Sequence, residues 1–358
     1  MISVMRCTLA ATFALVAQAA VAQNYCDKQP DDLARQRCKA VYQNRNIPED
    51  VARAESGTTH INWVYDAQIS PDGKLLASAG RDQTVKLWDF ASGKFIRNLG
   101  KHSGWVRNVV FSLDSKIVYS LADNDGIKAL EVATGQTLRS LPEGDKSKRW
   151  YRFAISADGR FIAGGGGGEP KAATIVATSD LSVAHQVPIE TSFTQAVFTP
   201  LRPVAAIAYY QNIRFVNAET GQVVGKAGVA DGPDRLAFSP DGALLAIATR
   251  RGIEIWDLTE QKRIQLIPSE KSIPSVFDLA FTPDKSIIIA CTDLPTAYDV
   301  ATGKSRGNFG DVTDLCHSVA ITKDGKYAVT SHMGSDIRVW EVATGKFVRR
   351  FGQWVEQP

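Results

Sequence analysis

The chain has 358 residues, 44% of them hydrophobic and 9% aromatic, with a formal net charge of +3 at pH 7. That is enough apolar material for a large core, and the length by itself suggests two domains. The charge is too small to argue for a nucleic-acid or anionic membrane surface.

The first 22 residues read as an export signal. Arg6 supplies a positive n-region, residues 9–20 are apolar and uncharged, and Ala20-Val21-Ala22 is a small-x-small cleavage site before Gln23. The apolar run is too short to span a bilayer. Met5-Arg6 before Cys7 lacks the small residue that a lipoprotein signal needs. The mature protein is therefore expected to be periplasmic or secreted, without membrane insertion. Cleavage leaves Cys26, Cys38, Cys291 and Cys316, an even number that suggests two disulfides in an oxidising compartment. None of the spacings is Cys-x-x-Cys, which argues against a zinc or thiol redox site.

Residues 31–42 carry good helix formers, acids first and bases later, in keeping with the helix dipole. Leu33, Ala34, Cys38, Val41 and Tyr42 share one face, so the pattern predicts a short amphipathic helix with a polar linker after it, over 43–56. The helix serves either as a packing appendage on the C-terminal bulk of the chain or as a partner-binding helix.

Residues 64–100 then set the pattern for the rest. Four short β-rich runs, 64–70, 75–79, 84–88 and 94–99, are separated by Pro71-Asp72-Gly73, Gly80-Arg81-Asp82 and Ser92-Gly93. Such runs and turns predict a four-stranded antiparallel meander. One sheet of this size cannot bury both faces, so it needs neighbours. The first turn recurs at Ser112, Ser156, Thr199, Ser239, Thr282 and Thr322, in steps of 40–44 residues. That periodicity makes the chain a seven-fold repeat array and overrides the two-domain expectation. The third run ends in Trp88-Asp89, Trp256-Asp257, Tyr298-Asp299 or Trp340-Glu341, and Ala-Thr-Gly-Lys comes next at 301–304 and 343–346.

On these motifs the chain resembles the WD40-repeat β-propeller family, as an exported bacterial-type member, over about 64–352. The resemblance implies an all-β fold: a seven-bladed β-propeller of four-stranded antiparallel blades at 60–352. It would come after the helical extension at 23–59 and precede a tail at 353–358. It also implies a structural tetrad in repeat 1, His60, Ser78, Asp82 and Trp88, tying the outer loop to the strand interior. His102 keeps the histidine offset in repeat 2; repeats 3–7 have no histidine there, and repeats 2, 3, 4 and 6 lack the tryptophan. Repeat 7 contains all four runs, so ring closure is expected without an N-terminal strand.

No catalytic constellation stands out, and no cofactor is expected. Gly164 to Gly168 lack the Lys-Ser/Thr and helix of a phosphate loop and read as a turn between strands two and three of blade 3. Gly303-Lys304-Ser305-Arg306-Gly307 sits at a turn before a strand, without a nucleophile elbow. His317 and His332 fall near one rim of blade 7 and, with Asp314, form a candidate metal set. The third position of each first strand reads Asp66, Asn108, Arg152, Gln195, Arg235, Asp278 and Ser318, a mixed, ion-paired lining rather than a calcium cage.

Cys26–Cys38 is expected to close a local loop around the helix, and strand order predicts the pairing Cys291–Cys316 between blades 6 and 7. In propellers like the one this chain resembles, the residue before the first strand and the second residue within it face partners. Those columns give Trp63, Trp105, Arg149, Ser192, Gly232, Ser275 and Leu315, then Tyr65, Arg107, Tyr151, Thr194, Asp234, Phe277 and His317. Blades 1–3 thus present Trp63, Tyr65, Trp105, Arg107, Arg149 and Tyr151 beside Arg81, residue types enriched at interface hot spots. The expected function is a non-catalytic scaffold that binds an acidic protein or peptide there. The alternative is an enzyme, or a small-ligand or metal binder, using the central channel or the His317/His332 rim.

Overall fold

The computed structural model describes residues 57–142, 149–167, 171–191, 193–268, 276–310 and 315–352. The export signal, the amphipathic helix with Cys26 and Cys38, and the tail at 353–358 lie outside the described residues. The described chain forms 28 strands and no helix. They make seven sheets, each of four antiparallel strands paired in chain order. This is the expected seven-bladed propeller.

The repeated turn explains why the strands begin where they do. Ser70 Oγ donates to Asp72 Oδ1 (2.6 Å) and accepts from the Leu75 N–H (2.9 Å), while Asp72 Oδ1 accepts from the Lys74 N–H (3.1 Å). Gly73 closes the turn at φ 74°, a conformation open to glycine at no steric cost. The same hydroxyl–carboxylate pair recurs at Ser112/Asp114, Ser156/Asp158, Ser239/Asp241, Thr282/Asp284 and Thr322/Asp324. Blade 4 has no aspartate here, and Thr199 Oγ1 donates to the Arg202 carbonyl instead (2.9 Å).

The first strands, Val64–Ile69, Val106–Phe111, Arg149–Ile155, Phe193–Phe198, Arg235–Phe238, Asp278–Phe281 and Cys316–Ile321, touch one another in succession around the ring. Between each pair of neighbouring blades lies one buried apolar cluster, seven in all among the described residues. Each sheet therefore buries both faces, as the repeat demanded. The last cluster joins Val64, Leu76 and Trp88 of blade 1 to Val329, Val339 and Phe351 of blade 7. Blade 7 is built from four strands of its own, Cys316–Ile321 to Phe347–Phe351, and closes on blade 1 by side-chain packing.

A polar ring reinforces this packing. In the column of Asp66, the side chain accepts a hydrogen bond from the backbone N–H one column further along the next blade's first strand. Asp66 accepts from Val109 (3.0 Å), Asn108 from Phe153 (3.0 Å), Gln195 from Leu236 (2.7 Å), Asp278 from Val319 (3.1 Å) and Ser318 from Ala67 (3.1 Å). The column read as a mixed channel lining is thus mostly a set of blade-to-blade latches. Blades 3 and 5 carry Arg152 and Arg235 there, which have no acceptor atom to offer.

One expectation fails in blade 3. Gly164 to Gly167 belong to the second strand, Phe161–Gly167, rather than to a turn. A Cβ on Gly164 would stand 2.8 Å from the Arg152 carbonyl and the Trp150 ring, and one on Gly165 3.0 Å from Phe193. The glycines let two neighbouring backbones and rings approach, a packing need that composition disguises as a loop.

Candidate functional site

From the two columns read from the repeats, Trp63, Tyr65, Trp105, Arg107, Phe277 and His317 pack into one connected group. The Trp63 carbonyl accepts from the Arg81 N–H (2.8 Å) and the Trp105 carbonyl from the Asp123 N–H (3.0 Å), which pins each loop beside its tryptophan. The Arg81 guanidinium then lies over both indoles, 4.3 Å from the Trp105 centroid and 5.0 Å from that of Trp63. The Arg107 guanidinium lies 4.6 Å from the Tyr65 centroid and 4.9 Å from that of Trp105. Tyr65 packs edge-on against Trp63, centroids 6.0 Å apart. Trp63, Tyr65, Arg81, Trp105 and Arg107 therefore form one stacked group.

Its charges are not equivalent. Arg107 is held by Asp123 through Nε (3.0 Å) and Nη2 (2.7 Å). Arg81 has no carboxylate partner among the described residues and is only half-buried. Tyr65 is buried, and its hydroxyl pKa is pushed up, mainly by desolvation. Trp63 and Trp105 are half-buried. Aromatic faces carry negative potential, and stacking the two arginines on the Trp and Tyr rings hides apolar area while fixing the guanidiniums. The backbones of Arg149 and Tyr151 lie in the first strand of blade 3, but their side chains, like all of Ser192 and Ser275, lie outside the described residues.

Sequence reasoning undervalued the other side of that aromatic group. His317 packs against Trp63 (5.6 Å), Tyr65 (5.4 Å) and Phe277 (5.4 Å), joining blades 6 and 7 to the aromatic group of blade 1. Phe277 and His317 both stand in the second column, which was the available signal. Below them two arginines reach into the channel. Arg152 donates to Asp278 Oδ1 (3.4 Å), the Phe277 carbonyl (3.0 Å) and the His317 carbonyl (3.3 Å), three blades or more from its own position. Arg235 donates to the same Phe277 carbonyl (2.6 Å) and to the Asp234 carbonyl (2.7 Å). Burial, then the nearby Arg152, lowers the Arg235 pKa to about 9. Burial likewise holds His317 neutral, with its pKa lowered to about 3, assisted by Arg152, His332, Arg107 and Arg235.

The tetrad of blade 1 is formed. His60 Nδ1 lies 2.9 Å from Asp82 Oδ2, His60 Nε2 lies 2.7 Å from Ser78 Oγ, and Trp88 Nε1 donates to Ser78 Oγ (2.9 Å). Blade 2 keeps His102 Nε2 against Ser120 Oγ (2.8 Å) without a tryptophan. Blade 7 rebuilds the network from another histidine: Trp340 Nε1 donates to Thr330 Oγ1 (2.7 Å), which pairs with His332 Nε2 (2.7 Å). His332 is fully buried, and its Nε2 is engaged by Thr330. Asp314 lies outside the described residues. The Cys291 and Cys316 sulfurs stand at bonding distance with Cα atoms 5.0 Å apart, where strand two of blade 6 meets strand one of blade 7.

Residues 55–89 match the family model for the WD domain, G-beta repeat. Blade 1 carries a WD40 repeat. This match and the seven-bladed ring together support the WD40 propeller family, whose members commonly serve as protein-interaction scaffolds. Among curated proteins, a stretch of 39 residues (11% of this chain) is 56% identical to ribosome assembly protein 4 of Chaetomium thermophilum, of which it covers 8%. A stretch of 30 residues (8% of this chain) is 53% identical to apoptotic protease-activating factor 1 of Danio rerio, of which it covers 2%. The likeness thus spans less than a tenth of either relative and amounts to about one WD40 repeat.

Proposed function

We propose that this WD40 propeller is an exported, non-catalytic docking module that binds an acidic segment of a partner protein on the rim of blades 1–3. The observation that carries this reading is Arg81, a guanidinium set between Trp63 and Trp105 with no carboxylate of its own among the described residues. An arginine already ordered between rings loses little side-chain entropy on binding, and its charge is available to a carboxylate. Arg107 is the weaker contributor because Asp123 already neutralises it. Export is supported by Arg6, the Ala20-Val21-Ala22 cleavage site and the cysteine pair of blades 6 and 7, which suits an oxidising compartment. The names of the two relatives describe those proteins; one shared repeat supplies no partner for this one.

The test compares affinity capture by the mature chain and by an Arg81→Ala, Trp105→Ala double variant whose fold is checked by circular dichroism. At least one protein recovered by the wild type should be lost with the variant, and its binding should weaken with salt. Equal recovery of every partner by the folded variant would move the site off this rim.

A further inference from the structure

At five of the seven blade junctions the third-position side chain accepts the next blade's N–H, but Arg152 and Arg235 forgo that latch. Their guanidiniums instead converge on one acceptor, the Phe277 carbonyl, at 3.0 and 2.6 Å. Only Asp278 pairs with Arg152 in the channel, at 3.4 Å, and no ion pair reaches Arg235 among the described residues. Two like charges sharing one carbonyl in a buried setting repel, and two structural latches are given up to put them there. A guanidinium has five N–H donors; the contacts use three at Arg152 and two at Arg235, so donors remain on both. Beside them, His317 Nε2 is buried with no hydrogen-bond partner among the described residues. The ring is neutral there, so either nitrogen can carry the proton that an anion would accept.

We propose that the mouth of the central channel is a small-oxyanion site, in which Arg152, Arg235 and His317 hold a carboxylate or phosphate group. Paired guanidiniums suit planar, bidentate oxyanions, and the aromatic wall of Trp63, Tyr65 and Phe277 around His317 restricts the site to a compact ligand. The site shares Trp63 and Tyr65 with the Arg81 group, but its ligating side chains are different ones and do not depend on protein docking at the rim.

The sequence itself supplies a well-behaved variant. Gln195 occupies the same column and latches Leu236 at 2.7 Å, so glutamine in place of either arginine is expected to fold and to regain the missing latch. Isothermal titration calorimetry on the full mature chain in low-salt buffer would use succinate, inorganic phosphate, and an unrelated peptide as free acid and as C-terminal amide. The expected result is saturable 1:1 binding of at least one of these anions, weakened at least tenfold by Arg235→Gln and by Arg152→Gln, whose urea midpoints confirm folding. Preference for succinate or phosphate would identify a free small acid. Binding of the acid peptide but not its amide would identify a chain terminus. No saturable binding of any probe, or binding that both folded variants retain, would overturn the site.

Discussion

At the scale of single residues, two buried imidazoles make the propeller sensitive to mild acid. His102 has its pKa lowered to about 4 by burial, then by Lys128, against the opposing pull of Asp125; His317 is lowered to about 3. In the unfolded chain both rings protonate near 6.5. Between that value and the folded ones the unfolded state binds more protons, so stability falls as pH drops through 6.5 towards 4. The loss between pH 7 and pH 5 should be on the order of 2 kcal/mol per ring. Urea midpoints at the two pH values check it, and equal midpoints would show that neither ring is held neutral. This window lies above the range in which the turn aspartates, all with lowered pKa values, start to protonate.

At the scale of strands, the first strand of blade 7 ties three blades together. Ser318 latches Ala67 of blade 1, Val319 is latched by Asp278 of blade 6, and Cys316 meets Cys291. Closing a loop of 25 residues restricts the unfolded chain and is worth about 3 kcal/mol in the chain-entropy account. A Cys291→Ala, Cys316→Ala variant should therefore unfold several degrees below the oxidised wild type, and about level with a wild type reduced in denaturant and refolded with its thiols blocked. A melting temperature unchanged from the oxidised protein would mean the thiols are free. The same strand shows how far the sequence could be read. Strand order already placed the two cysteines together, because strand two of one blade ends where the next blade begins. The latches were not legible, since four of them pair residues 41–45 positions apart and the fifth, Ser318 to Ala67, spans 251, and their side chains looked like channel lining.

At the scale of the molecule, stability depends on joining the last blade to the first without a shared strand. Phe351 does much of this: it is fully buried, with its ring 6.0 Å from Trp88 and 6.2 Å from Phe90 of blade 1. Phe347, on the same strand, is 52% exposed and stacks only within its own blade, on Trp340. Phe351→Ala should cost about 3–5 kcal/mol through lost transfer and an unfilled cavity, whereas Phe347→Ala should cost well under half of that. Denaturant unfolding of both variants provides the comparison. Similar losses would mean that closure rests on the polar ring rather than on this contact.

Repeat number, strand order, turn chemistry and the tetrad of blade 1 were determined by sequence alone. Each is set by residues within one 40-residue unit, and seven copies of that unit repeat the same message. Which side chains meet across the channel was decided only by tertiary structure. Arg152 reaches Asp278, 126 positions away, because ring closure brings blade 3 opposite blades 6 and 7. Closure likewise folded Tyr65 inward, set His317 against Trp63, and turned a run of glycines into a close-packed strand. Periodicity specifies the blade, but only the closed ring fixes what faces what across its axis.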